Sequence, residues 1–221
     1  MTNDPPHDLP PGAWQALLPR ALTLIDEVRT HGGVENPFWT LGGGTVLMFR
    51  YRHRLSKDID IFVPDPQYLG FVTPRLSDVA ANLTEDYTEA SDAFVKLQFE
   101  EGEVDFVASP NLLDNAWETW EIEGNRIRVE KSAEVIAKKM YHRGDRATAR
   151  DLFDLTLVVE REPEALKQAK RWLLRHRQTF LDQICHPHPS LRARFEAIAM
   201  LDYTPDFDYC VKASSEFLQS L

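Results

Sequence analysis

Arg54-Leu55-Ser56-Lys57-Asp58-Ile59-Asp60-Ile61-Phe62-Val63-Pro64 is the stretch on which the fold turns. From Asp58 onward it alternates. Ile59, Ile61 and Val63 fall on one face, Asp58, Asp60 and Phe62 on the other, which is the period of a half-buried strand that Pro64 ends. Residues two apart on a strand project to the same side, so Asp58 and Asp60 present paired carboxylates on a surface backed by a core. Such a pair repels itself unless a cation lies between. Mg2+ is the usual one, because it prefers carboxylate oxygens and substrate phosphates.

Upstream, Phe38-Trp39-Thr40-Leu41 reads as a short strand, Gly42-Gly43-Gly44 breaks it, and residues 45–51 read as a helix. A strand that ends in glycines and turns into a helix leaves free N–H groups at the helix start, where the helix dipole favours anions. Gly43 and Gly44 let a phosphate approach the backbone closely, and Thr45 adds a hydroxyl. Downstream, residues 94–100 and 103–108 read as a hairpin joined at Glu101-Gly102. Its second strand carries Asp105, a third acid that could pair beside the first two, share in metal binding and take the proton of an attacking hydroxyl.

The rest of the chain sorts around these pieces. A polar leader ends at Pro10-Pro11-Gly12 and precedes an amphipathic helix over 14–31, with Pro19 dividing it or sitting in a first turn. A helix is expected over about residues 73–83 and a second hairpin over 120–130, turning at Gly124-Asn125. Ser132 reads as an N-cap, after which the chain turns helical over 133–142, 147–160, 163–178 and 191–201. The expected fold is α+β: residues 1–131 form a small mixed-sheet core with an N-terminal helix, and residues 132–221 a helical region that completes the active site.

Lys139 lies on one of these helices, among Val135, Ile136 and Met140, with a tip able to reach a triphosphate. Asp151 and Asp154 are spaced i, i+3 and share a helix face beside Arg150. An ion-pair network pinning two helices together is the structural alternative.

Composition narrows the class. Hydrophobic residues make up 43% of the 221 and charged residues 27%, a globular balance, and no apolar run approaches the roughly 20 residues that span a bilayer. The first residues lack the basic start and apolar stretch of a secretory signal, and Cys185 and Cys210 fit a reduced compartment, so a cytoplasmic protein with no membrane partner is expected. The net charge of −10 argues against non-specific nucleic-acid binding, yet the charge is uneven. Acids crowd residues 58–105 and bases residues 138–194, so a phosphate-bearing substrate could still meet a positive face. Cys185-His186-Pro187-His188 has metal-ligand residue types but no second ligand pair at zinc spacing.

Taken in order, Gly42-Gly43-Gly44-Thr45, Arg54-Leu55-Ser56-Lys57-Asp58-Ile59-Asp60-Ile61, Ala137-Lys138-Lys139-Met140 and Arg150-Asp151-Leu152-Phe153-Asp154-Leu155 resemble the AbiEii/AbiGii-type nucleotidyltransferase toxins of the DNA polymerase β-like superfamily. The resemblance runs over residues 37–160. It implies that Gly43, Gly44 and Thr45 grip the NTP phosphates, that Arg54 and Ser56 belong to the nucleotide-binding pattern, and that Asp58 and Asp60 hold Mg2+, with Asp105 as the more variable third acid. It implies that Lys139 neutralises triphosphate charge and that Asp151 is the downstream catalytic acid, with Arg150 beside it at the nucleotide. In related toxins the acceptor is RNA, including the tRNA 3′ end, and the toxin is paired with a separately encoded antitoxin. The expectation is therefore an NMP transferase acting on RNA. The alternatives are an enzyme with a small-molecule acceptor, like the aminoglycoside nucleotidyltransferases, and a catalytically weak module that binds nucleotide or a partner.

Overall fold

The computed structural model describes residues 8–90 and 92–221; most of the polar leader lies outside them. These residues form two compact units. One comprises the described residues up to 49, with 56–111 and 117–130; the other comprises 50–55, 112–116 and 131–221.

The first unit opens with α1 (Trp14–His31), which buries Leu17, Leu18, Ala21, Leu24, Ile25 and Val28 along one face. Pro19 does not divide it. Proline deprives the Gln15 carbonyl of its helical partner, but Pro19 and Gln15 both lie on the exposed face, where water can replace the lost donor. The chain continues through β1 (Thr40–Gly42), α2 (Gly43–Tyr51, its last two residues counted to the second unit) and β2 (Ile59–Val63). A further short helix, α3 (Leu69–Val72), comes next, and of the helix expected over about 73–83 only the second half forms, as α4 (Asp78–Leu83). Thr73 precedes proline and is therefore extended, which ends α3, and Ser77 caps α4 by accepting from the Ala80 N–H. Then follow β3 (Tyr87–Ala90), β4 (Phe94–Gln98), β5 (Glu103–Ala108), β6 (Trp117–Ile122) and β7 (Asn125–Glu130). The last turn is at Glu123-Gly124, one residue earlier than expected. Both residues have positive φ, 48° and 75°, which is what a tight hairpin turn with right-handed twist requires.

All strands join one mixed sheet in the order β3-β4-β5-β2-β1-β7-β6. β2 runs parallel to β5 and β1 parallel to β7, and the other neighbours are antiparallel. The alternation read in the sequence holds: Ile59, Ile61 and Val63 are fully buried, with Val104 and Phe106 in register with the first two, and α1 packs on β2 and β5.

The second unit is built from α5 (Ser132–Arg143), α6 (Ala149–Arg161), α7 (Pro163–Gln168), α8 (Lys170–Leu173), α9 (Arg177–Cys185), α10 (Pro189–Glu196) and α11 (Phe207–Ser220). α6 is central, packing against α5, α7, α10 and α11. Ser132 is the first helical residue of α5, not its cap, and its hydroxyl donates to Glu162 at 2.9 Å. The single helix expected over 163–178 breaks into α7, α8 and the start of α9, with Leu166, Ala169 and Leu173 buried across the breaks. The final helix, α11, went unread in the sequence. Asp206 caps it, and Phe207, Cys210, Ser214, Phe217 and Leu218 form its buried stripe. Among the described residues no helix is long and apolar enough to cross a membrane.

Candidate active site

In the first unit the acids are placed by strand register. β1 and β2 pair Gly42 with Asp60, and β2 and β5 pair Asp60 with Asp105, so Asp60 stands between the glycine turn and a second carboxylate. Gly43 has φ +69°, and a Cβ there would run into the Asp60 carboxylate. Only glycine permits both that backbone and that approach. The Thr45 side chain, fully buried on the first turn of α2, donates its hydroxyl to the Asp58 carbonyl at 2.5 Å. That hydroxyl is thus spent on tying the start of α2 to the start of β2. Asp58 lies one residue ahead of β2, and its Oδ1 accepts from the Glu103 N–H at 3.3 Å. Ser56 is buried, with its N–H directed at the Met48 sulfur at 3.3 Å.

Of the three acids, Asp105 is the one with an uncompensated buried oxygen. Its Oδ2 is 3.0 Å from Lys96 Nζ, across the β4–β5 register, while its buried Oδ1 has no hydrogen-bond partner. Burial and the Asp60 charge push its carboxyl up to about 7, against the pull of Lys96. Burial would lower the Lys96 ammonium, but Glu103, at 2.5 Å, and Asp105 raise it to about 12. Among the described residues no three His, Cys, Asp or Glu side chains converge as a metal cage. Mg2+ does not need one, since one or two carboxylates plus substrate phosphates and water commonly hold it. A repelling Asp60–Asp105 pair with a partnerless buried oxygen fits such a cation.

Sequence reading missed Lys96 and Glu130. Glu130, fully buried on β7, accepts from the Thr40 hydroxyl at 2.8 Å and lies against Gly42, where a Cβ would meet it. Glu130 is brought in by a strand distant in sequence, while Lys96 meets Asp105 across the β4–β5 hairpin, on the strand opposite the acid.

The second unit holds the other expected residues. Lys139 Nζ donates to Asp151 Oδ1 at 3.0 Å and lies 2.9 Å from Asp154 Oδ2. Asp151 also accepts from Arg143 Nη2 at 2.8 Å and from the Thr148 hydroxyl at 2.7 Å, and its carboxylate accepts from the Thr148 N–H while the Thr148 hydroxyl accepts from the Asp151 N–H, a capping box at the start of α6. Burial alone would raise the Asp151 carboxyl, but Lys139 and Arg143 outweigh it and bring it down to about 2. Asp154 is completely buried. Arg54 grips it through Nε and Nη2, both at 2.8 Å, and His53 Nε2 lies 2.9 Å from its Oδ1. Against the cost of burial, Arg54 and Lys139 hold its carboxyl far below the usual range. Arg54 Nη1 goes to the Leu55 carbonyl at 3.2 Å, so its guanidinium is committed to protein groups. Arg150 is exposed on the first turn of α6. His53 and Arg143 were not foreseen, although His53 directly precedes the motif arginine.

Carboxylates that could hold a cation and a helix start with close backbone approach stand in the first unit, and a lysine set among ion pairs stands in the second; groups of these kinds are what phosphoryl transfer uses. The family model described as "Nucleotidyl transferase AbiEii toxin, Type IV TA system" matches residues 33–217. No curated protein matches the sequence. Among solved structures, a candidate nucleotidyltransferase from H. pylori aligns at 18% identity over 93% of this chain and 94% of its own, with a TM-score of 0.53. JHP933 from Helicobacter pylori aligns at 17% identity over 93% and 91%, TM-score 0.50. MenT4, a nucleotidyltransferase toxin from Mycobacterium tuberculosis H37Rv, aligns at 16% identity over 95% and 85%, TM-score 0.53. At these identities the structures establish a shared fold.

Proposed function

The chain belongs to the AbiEii family of nucleotidyltransferase toxins of type IV toxin–antitoxin systems, and from that premise we propose that it transfers an NMP from an NTP to RNA, the tRNA 3′ end included, with Mg2+ as its metal. The observation that carries this is the Asp60–Asp105 register pair set against the Gly43 turn. Asp60 and Asp105, with Asp58 alongside, would hold the Mg2+. When bound, that ion would supply charge neutralisation for the reacting phosphate and for the leaving pyrophosphate.

The protein's own groups do the rest. Gly43 and Gly44 offer backbone N–H groups at the start of α2 to the phosphates, and Thr45 keeps that turn anchored to Asp58. Asp105, the third acid, would also take the proton of the attacking hydroxyl. Lys139 donates to Asp151, ion-pairs with Asp154 and offers its remaining donor capacity to the triphosphate, while Arg150 adds exposed positive charge. Arg54 serves through Asp154, and Ser56 through its buried place ahead of Asp58. Support for an RNA acceptor comes from exposed cations of the helical unit, against a net charge of −10. Among them, Arg171 lies over Trp172 and Arg175 over Tyr141, a pairing of cation and ring that suits unstacked bases.

The test is incubation with each labelled NTP, Mg2+ and total RNA. Label on RNA that is lost in Asp60→Ala is the expected result. Label found only on a small molecule overturns the RNA acceptor. Nucleotide binding without transfer, unchanged in Asp60→Ala, overturns the enzymatic reading of the acids.

A further inference from the structure

The fully buried Asp154 carboxylate takes in more donors than an ordinary helix ion pair. Arg54 reaches it twice at 2.8 Å, His53 Nε2 lies 2.9 Å away, and Lys139 Nζ is 2.9 Å from its other oxygen. His53 is itself fully buried, its ring tilted against Phe153, and its Nδ1 has no hydrogen-bond partner. Burial, against the pull of Asp154, holds its imidazole below the usual histidine range, so it is the neutral ring that faces the acid. Only the tautomer protonated at Nε2 can donate to Asp154, and it leaves Nδ1 as a bare acceptor. A buried acceptor without a donor is costly, and a packing role alone would be met more cheaply by an apolar ring.

The charges around Lys139 are also unusual. Lys139 sits between Asp151 and Asp154, and each of these carboxylates also pairs with an arginine, Asp154 with Arg54 and Asp151 with Arg143. Lysine is a flexible chain ending in a point charge, and a side chain used on a triphosphate must have its orientation supplied by neighbours.

We propose that His53 and Asp154 are positioning residues for Lys139: the His53 imidazole orients the Asp154 carboxylate, and Asp154 holds the lysine ammonium in place for the triphosphate. This rests on the assignment of Lys139 to the triphosphate made above. Arg54 supplies the counter-charge that keeps Asp154 ionised.

The experiment compares His53→Leu, His53→Gln, Asp154→Asn and Lys139→Ala, each by thermal unfolding and by steady-state kinetics against NTP. Partners that orient a functional ligand are worth about 10–100-fold when removed, and a KM increase in that range is expected for His53→Leu and Asp154→Asn in the folded enzyme. His53→Gln keeps an N–H donor and should restore KM close to wild type. In the Lys139→Ala background, His53→Leu should add no further change in KM. Lost thermal stability with unchanged KM in His53→Leu, or a His53→Gln variant no better than His53→Leu, overturns the proposal while leaving Lys139 where it stands. An unchanged KM in Lys139→Ala overturns the triphosphate assignment itself. Should Asp154→Asn fail to fold, the two His53 variants carry the test alone.

Discussion

Asp60 and Asp105 are register partners on adjacent parallel strands, two carboxylates held side by side with Lys96 compensating only the outer one. The pair is set by backbone hydrogen bonding and not by any attraction between the side chains, which raise each other's energy. An arrangement that costs stability and persists is what a cation-dependent site needs.

Asp60→Asn and Asp105→Asn should therefore each reduce transfer by at least about 100-fold, the loss expected when several kcal/mol of metal-assisted stabilisation disappears. Thermal stability should stay level or rise, because one of two repelling charges is gone. Calorimetry alongside single-turnover assays checks both. A variant with wild-type rates would falsify the assignment.

Gly43→Ala should cost about 1–2 kcal/mol from the positive φ alone. The collision of its Cβ with the Asp60 carboxylate adds to that. Activity should fall further than stability does, because relief of the collision moves Asp60. Equal, modest losses in both would show the turn to be only structural.

Arg54→Ala should destabilise the fold by about 3–5 kcal/mol, since it strands a fully buried carboxylate. Arg54→Lys should recover only part of this, because an ammonium cannot reproduce the two parallel bonds of the guanidinium. Chemical denaturation of the two variants, with Asp154→Asn as the compensating second change, measures the difference.

Asp151 carries a pH signature. Its carboxyl lies at about 2 in the folded protein, below the ordinary aspartate value of about 3.9. A depressed folded pKa means that the unfolded chain binds the proton first as pH falls. The stabilisation from Asp151 is thus full above about pH 4 and is lost between there and about pH 2. Asp151→Asn should flatten the stability profile in that window and leave it unaltered at neutral pH apart from a constant offset. A profile parallel to wild type through acid would contradict the ion-pair assignment.

Much of this was legible in the linear chain, for identifiable reasons. The Ile59-Ile61-Val63 alternation declared β2, and the glycines before Thr45 declared a strand-to-helix turn. Both are local signals, in which neighbours in sequence are neighbours in space. The breaks at Gln168 and Leu173 were missed because amphipathic periodicity runs on across them. α11 was passed over although its apolar stripe was present. Local pattern also misassigned one hydroxyl: Ser132 looked like a cap and serves Glu162 instead.

By itself, the sequence determined the residue types and their order: a glycine turn, an acid pair on a strand, a helical lysine and a helical Arg-Asp motif, enough to identify the family and the class of chemistry. Only the tertiary structure decided which acids are neighbours and what each cation faces. Asp60 adjoins Asp105 because β2 and β5 pair in parallel across more than forty residues of chain, and Arg54 meets Asp154 across about a hundred. No spacing rule reaches that far, since such contacts are selected by the burial of whole strands and helices and not by the residues that meet.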